Sequence, residues 1–166
     1  MDKPKSVAGI LFSPDRKEVL LIKRRDVHVW VLPGGGINFN ESPQTAIERE
    51  ILEETGFSVK VLRLVGDYIP INRLSKRTHL FERTKISGKM EVSDETRDIR
   101  FFQADQLPPL PPPYLEWIED SLLNQPPIQK KLVSVNYTNL LKNLILHPIL
   151  VIRFLLAKAG FSINSN

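Results

Sequence analysis

Residues 35 to 57 constrain this chain more than any other stretch. They run from Gly35 through Glu41 to an unbroken Arg49-Glu50-Ile51-Leu52-Glu53-Glu54-Thr55-Gly56-Phe57. The pattern predicts a glycine-rich turn feeding a short helix that carries an excess of acids. Gly34, Gly35 and Gly36 follow Pro33, so the backbone there can bend sharply or approach a ligand closely. Ser42 suits the N-cap, Pro43 the first helical position and Gly56 the stop. Ile47 and Ile51 point into a core, with Leu52 beside them. Glu50, Glu53 and Glu54 are three and four residues apart, a spacing that lets all three crowd one polar face. Like charges so placed repel unless a cation neutralises them. An all-oxygen donor set suits Mg²⁺ or Mn²⁺ and not a thiolate-seeking metal. Arg49 can reach Glu53 along the helix, or reach back to Glu41 and hold the preceding loop on the helix.

Three glutamates alone describe an ordinary solvated helix face. The combination is far more specific: a glycine, five residues, a glutamate, seven residues, Arg-Glu, an aliphatic residue, any residue, Glu-Glu, any residue, a glycine and a hydrophobic residue. Gly35, Glu41, Arg49, Glu50, Ile51, Glu53, Glu54, Gly56 and Phe57 fill those places without a gap. This stretch resembles the Nudix box, the signature of the MutT-like Nudix hydrolases. Phe57 stands where a branched aliphatic is commoner, at a position that packs a core. Trp30-Val31-Leu32-Pro33-Gly34-Gly35 is similar to the family's segment before the box, and the flanking pattern carries the resemblance over residues 5 to 123.

The resemblance implies an α+β fold, an α/β/α sandwich with a mixed central sheet between helices. It also implies metal-dependent hydrolysis of the pyrophosphate bond in a nucleoside diphosphate linked to another moiety, with Mg²⁺ or Mn²⁺ as cofactor. Carried over residue by residue, Glu50, Glu53 and Glu54 become the metal carboxylates, with Glu53 acting as ligand or as general base. The Gly35 carbonyl adds a further ligand. Glu41 and Arg49 fix the loop on the helix. The family often supplies one more acid from a distant loop; Glu95 is the first candidate and Asp94 the second, both just before a strand at Ile99. Nucleotide sugars, ADP-ribose and nucleoside triphosphates all remain open as substrates. A fold that kept nucleotide binding or membrane association and lost catalysis is the alternative; the intact box acids argue against it.

Further candidates come from residue type alone. Arg24, Arg25, Lys23 and Arg83 are possible phosphate contacts. Tyr68, Phe81 and His79 are possible stacking partners for a base, and His28 lies beside the strand that holds Trp30.

The chain has no cysteine, which excludes disulfides, thiolate zinc sites and a cysteine nucleophile. Met1 to Lys5 is short and polar, without the apolar core of a signal peptide, so a cytoplasmic location is expected. The formal charge of +4 is uneven. Residues 125 to 166 hold Lys130, Lys131, Lys142, Arg153, Lys158 and no acid, which leaves 18 basic against 19 acidic residues elsewhere. The main region therefore lacks the basic stripe that duplex nucleic acid would require.

Along the chain, Val7 to Phe12 and Glu18 to Lys23 read as a hairpin around Ser13-Pro14-Asp15. Val27 to Leu32, Val59 to Ile71, Thr78 to Ile86 and Ile99 to Gln103 read as further strands, the second of them as one long strand or two short ones divided near Gly66-Asp67. Leu107 to Pro113 is a rigid elbow leading into a helix from Tyr114 to Leu123, with Leu115, Ile118 and Leu122 on one face and Trp117 flanking it. A domain over 1–124 and a basic, apolar extension over 125–166 are expected, with Gln125 to Gln129 as linker. In the extension, Leu140 to Leu146 and Ile149 to Ala159 read as two short helices separated at His147-Pro148. On a helical wheel, Leu141, Leu144, Ile145, Ile152, Leu155 and Leu156 oppose Lys142, Asn143, His147, Arg153 and Lys158. The uncharged run Asn143 to Ile152 falls far short of the roughly 20 residues that span a bilayer. Three roles suit the extension: packing on the domain, forming a homodimer interface, or peripheral contact with an anionic membrane surface.

Overall fold

The computed structural model describes residues 3–146 and 148–159. Met1, Asp2, His147 and residues 160–166 lie outside the described residues, as do the side chains of Asn143, Leu144 and Lys158 placed on the wheel above.

Two strands carry the logic of the fold. In β1 (Ser6–Leu11), Val7 and Leu11 face one core and Ala8 and Ile10 the other. In β2 (Glu18–Arg24), Leu20 and Ile22 join the first core, Val19 and Leu21 the second. An unbroken apolar run such as Val19 to Ile22 is what a strand covered on both faces requires. The first core is closed by Ala46, Ile47 and Ile51 of helix α1 (Pro43–Thr55), the second by Trp117 and Ile118 of helix α2 (Tyr114–Leu122). Sheet between helices is thus the observed architecture, as the resemblance implies.

The strands form two sheets. Beyond β1 and β2 they are β3 (Trp30–Val31), β4 (Gly34–Gly36), β5 (Phe57–Pro70), β6 (Thr78–Gly88), β7 (Thr96–Gln103) and β8 (Ile128–Leu132). The mixed five-stranded sheet runs β4-β1-β6-β5-β8, and an antiparallel three-stranded sheet runs β3-β2-β7. Within the larger sheet β1 pairs parallel with β6 and β5 parallel with β8.

Several expectations need correction. β1 and β2 do not form a ladder; a single bridge, Phe12 to Val19, links them, and each joins a different sheet. Long-range pairing with β6 and β7 overrides the local turn signal. The glycine stretch is a strand on the edge of β1 and not a free turn. The segment around Trp30 is strand only at Trp30–Val31, because the chain reverses at His28 (φ 59). Of the two readings for the stretch after the helix, the single long strand is the one found: β5 runs Phe57–Pro70, its register shifted at three places without a break. Leu52 is 49% exposed and not part of the core. Helix α2 buries Trp117, Ile118 and Ser121, while Leu115 and Leu122 face out. The expected linker ends at Ile128, where β8 begins and adds residues 128–132 to the edge of the main sheet.

A buried charge cluster that the sequence does not announce fastens α2 to the sheet. Glu82, 4% exposed on β6, accepts from Arg63 Nε at 2.8 Å and pairs closely with Arg16. Both arginines also donate to the Ser121 carbonyl at the end of α2. On the β8 edge, Asp67 accepts from Arg77 Nε at 2.8 Å and from Gln129 Nε2 at 3.0 Å.

The extension folds into α3 (Tyr137–Leu146) and α4 (Pro148–Lys158), with Pro148 opening the second helix. Val151 is buried, whereas Leu141, Ile145, Ile149 and Ile152 are exposed. No helix among the described residues is long and apolar enough to cross a membrane.

Candidate active site

Helix α1 begins and ends where its local chemistry dictates. Ser42 Oγ accepts from the Thr45 N–H at 3.1 Å, Pro43 takes the first turn, and Gly56 caps the end in the left-handed region (φ 73), donating to the Leu52 carbonyl at 2.9 Å. The helix lies against β4. That strand runs so close to β1 that a Cβ at Gly34 would sit 2.3 Å from the Val7 carbonyl oxygen. Two acids of the helix lean on this bare backbone. The Gly34 N–H donates to Glu54 Oε2 at 2.8 Å, and the Glu50 carboxylate packs on Gly35.

Arg49 holds the entry to the helix through all of its reach. Its Nε and Nη2 grip the two oxygens of Glu41 at 2.9 and 3.0 Å, a bidentate pair. Nη2 also donates to the Gly36 carbonyl at 3.0 Å, and Nη1 to Glu50 at 2.9 Å and Glu53 at 3.1 Å. The Asn38 N–H adds a bond to Glu41 at 2.9 Å. The Arg49 hydrogen bond and that of Asn38 bring the Glu41 carboxyl down to about 2. Glu41 and Arg49 thus sit as the sequence places them, clamping the 36–41 loop to α1.

The three box acids do not share one face equally. Glu50 and Glu54 turn inward and Glu53 turns out, its side chain 58% exposed and held by Arg49. Burial pushes Glu54 up to about 8, and the negative charges of Glu50 and Glu95 add to the rise against the opposing Gly34 N–H and Arg24. Burial likewise raises Glu50, opposed by Arg49 and reinforced by Glu53 and Glu95. Two half-buried carboxylates with raised pKa values, on oxygen donors alone, are the environment a hard divalent cation would relieve. Among the described residues no three acids converge closely enough to form a complete cation cage by themselves. The oxygen donors of Glu50 and Glu54 are of the type that Mg²⁺ or Mn²⁺ would take, and either ion would need further ligands beyond these two.

Glu95 lies on the loop before β7, exposed yet within electrostatic reach of both inner acids. Arg25 sets that loop: its backbone N–H donates to the Glu95 carbonyl at 2.9 Å, and its guanidinium to the Ser93 and Thr96 carbonyls at 3.2 and 3.3 Å. Asp94 is exposed on the same loop.

The residues singled out by type fall into different places. Arg24 pairs with Asp26 at 2.8 Å and lines a cavity beside the glycine strand. Arg83 is buried beneath α1, donating to Glu48 at 3.4 Å and the Gln44 carbonyl at 3.3 Å, and burial lowers it to about 10. Tyr68 is fully buried and donates to Asp120 at 2.9 Å; Phe81 is buried in the first core. Arg83, Tyr68 and Phe81 are therefore packing and fastening groups. His79 lies 3.6 Å from Asp67, and Lys23 sits over the Trp30 ring. His28 contacts Arg97 at 3.2 Å and Arg153 of α4 at 3.1 Å.

The cavity beside the glycine strand has a volume of about 590 Å³. Tyr114, Trp117, Ser75, Asn139 and Val151 line it together with Arg24 and Gly34 to Gly36. Sequence reasoning missed these residues as site residues. They come from four separate segments, and the aromatic pair of α2 carries no signal beyond that of a core helix.

Comparison with known proteins bears on the whole region. The NUDIX domain family model matches residues 2–123. A MutT-like protein of Streptomyces ambofaciens is 37% identical over 103 residues, 61% of this chain and 65% of that protein. An ADP-ribose pyrophosphatase of Methanocaldococcus jannaschii is 36% identical over 112 residues, 63% of this chain and 64% of that protein. The matched region thus spans just under two thirds of those two relatives. Among solved structures, an ADP-ribose pyrophosphatase from Streptococcus suis 89-1591 superposes with a TM-score of 0.65 at 25% identity, over 77% of this chain and 99% of that one. The complete glycine-to-phenylalanine motif, its helix on the glycine strand and the family match over residues 2–123 together make this chain a member of the Nudix family.

Proposed function

We propose that this protein hydrolyses the pyrophosphate bond of a nucleoside diphosphate linked to another moiety, with Mg²⁺ or Mn²⁺ held by Glu50 and Glu54. The observation that carries the reading is the Glu50–Glu54 pair. Both acids have raised pKa values, and Glu54 has no ion-pair partner among the described residues. A carboxylate face repels a diphosphate; a divalent cation bound there reverses the local sign, neutralises phosphoryl oxygens and lowers the pKa of water.

The chain's own residues supply position and proton handling. Arg49 and Glu41 fix the loop that aims β4 at α1, and Gly35 offers backbone close to Glu50. Arg24, at the rim of the adjacent cavity, faces the phosphates. Glu53 or Glu95 takes the proton from the attacking water; the reading is supported by the hydrogen bond of Glu53 to Arg49 and by the electrostatic reach of Glu95 to Glu50. Water adds to one phosphorus, the bridging P–O bond breaks, and two phosphate-ended products and a proton leave.

ADP-ribose heads the substrate panel, since two of the relatives above are ADP-ribose pyrophosphatases. Turnover of ADP-ribose, nucleotide sugars, nucleoside triphosphates and dinucleoside polyphosphates with Mg²⁺ and with Mn²⁺, products identified by mass, tests the reading. Cation-dependent cleavage between two phosphorus atoms is the expected result. Metal binding without turnover of any member would overturn it in favour of a binding protein on this fold.

A further inference from the structure

Helix α4 is apolar nearly all the way round. Its sequence, PILVIRFLLAK, holds one charge before its last residue. A helix of that composition needs cover on every side. Among the described side chains, the domain covers one side. Val151 is buried and, with Leu140 of α3, lines the cavity beside the glycine strand. On the outer side Ile149 is 71% exposed, and Ile152 and Leu155 are exposed next to it. Helix α3 repeats the arrangement. Tyr137, Leu141 and Ile145 recur every fourth residue on its outer side, and Ile145 is 75% exposed. Leu146, at the end of α3, is exposed as well. Single exposed aliphatic residues are ordinary, but apolar stripes on two successive helices mark a contact surface.

The charge around the stripes points to the partner. Residues 125–166 carry five basic residues and no acid. Two of the five are engaged within the described structure: Lys130 pairs with Glu116 and Asp120, and Arg153 contacts His28. Lys131 and Lys142 are exposed, Lys142 among the apolar residues on the outer side of α3. A second copy of this face would meet these cations with the same cations and no acid to pair them. An anionic lipid surface supplies both missing complements, an acyl layer for the aliphatic stripes and phosphate charge for the lysines. Lysine suits that boundary, since its stem lies along apolar surface while the ammonium stays among the headgroups. Helices of 10 and 11 residues are about 15–17 Å long, roughly half the hydrocarbon thickness, so they would lie in the surface and not cross it.

We propose that α3 and α4 form a peripheral membrane-docking face: Leu141, Ile145, Ile149 and Ile152 enter the boundary between headgroups and acyl chains of an anionic bilayer, and Lys131 and Lys142 hold lipid phosphates. The inner residues Leu140 and Val151 stay against the domain. The face is independent of the hydrolase reading, and neither Glu50 nor Glu54 takes part in it.

Co-sedimentation of the full chain tests the face, with vesicles of phosphatidylcholine alone and vesicles of equal parts phosphatidylcholine and phosphatidylglycerol. Binding to the anionic vesicles should exceed binding to the neutral ones by about tenfold or more, and should fall as salt rises from about 0.1 M to about 1 M. Ile145→Asp and Ile149→Asp should each weaken it by about tenfold or more. Their melting temperatures should match wild type, because both side chains already face water. Lys142→Gln should weaken binding to the anionic vesicles by about fivefold, and it keeps the test valid if an aspartate variant fails to fold.

No sedimentation with anionic vesicles, equal binding to neutral ones, or binding unchanged in all folded variants overturns the face. So does a dimer in light scattering that Ile145→Asp dissociates, since that result assigns the surface to a second copy. Turnover assays without lipid report on the hydrolase reading alone, so either proposal can fail without the other.

Discussion

The Glu50 carboxylate rests directly on the backbone of Gly35, where a Cβ would lie 2.5 Å from the carboxyl carbon and from both oxygens. A Cβ fits there only if the Glu50 carboxylate moves aside, so the glycine of the motif is called for by the position of the acid fifteen residues later and not by a turn. Gly35→Ala should displace Glu50 while leaving both cores untouched. The expected outcome is a loss of turnover on the order of 10²-fold, as for other small misplacements of catalytic groups, with a melting temperature near that of wild type. Steady-state kinetics with a thermal melt checks it.

Glu82 is the anchor that ties α2 to β5 and to the β1–β2 connection through Arg63 and Arg16. Glu82→Ala removes the acceptor that Arg16 and Arg63 share and leaves a small void on β6. It should lower stability by about 1–3 kcal/mol, since Arg16 and Arg63 are partly exposed and can turn to water, measured as a shift in the urea midpoint at constant slope, and lower activity only as far as the fold is lost.

Asp67 provides the pH-sensitive contact. The Arg77 hydrogen bond first, then that of Gln129, hold its carboxyl below the ordinary 3.8. A lowered folded value means that the contribution is fully present above 3.8 and is lost as pH falls through the lower folded value. Asp67→Asn should therefore be less stable than wild type by about 1 kcal/mol at neutral pH, and the two unfolding curves should converge on the acid side. A difference that persisted unchanged into strong acid would contradict the assignment.

The site was legible in sequence where its chemistry is local. The Ser42 cap, Pro43, the Gly56 stop and the Arg49–Glu41 clamp all follow from spacing along one helix and its preceding loop, and the structure reproduces each. Legibility fails where a partner lies far along the chain. Glu53 and Glu54 are neighbours in sequence, but only Glu54 meets the Gly34 N–H, so one turns in and the other out. Arg83 and Tyr68 look like ligand residues by type; their partners Glu48 and Asp120 lie 35 and 52 residues away and turn them into packing groups. The β1–β2 hairpin reading fails for the same reason, because β6 and β7 compete for the two strands. β8 was hidden by the proline pair before it, and its place beside β5 is fixed by pairing that no local pattern encodes.

The most direct test is cation-dependent turnover by Glu54→Gln beside wild type, with Mn²⁺ binding followed in parallel by electron paramagnetic resonance. The substitution keeps the volume and removes the charge at the residue whose environment most calls for a cation. The predicted result is an intact fold, Mn²⁺ affinity reduced by about tenfold or more and turnover down by about 10²-fold or more. Near-wild-type turnover in Mg²⁺ with unchanged Mn²⁺ binding would contradict the assignment of Glu50 and Glu54 as the cation-holding pair.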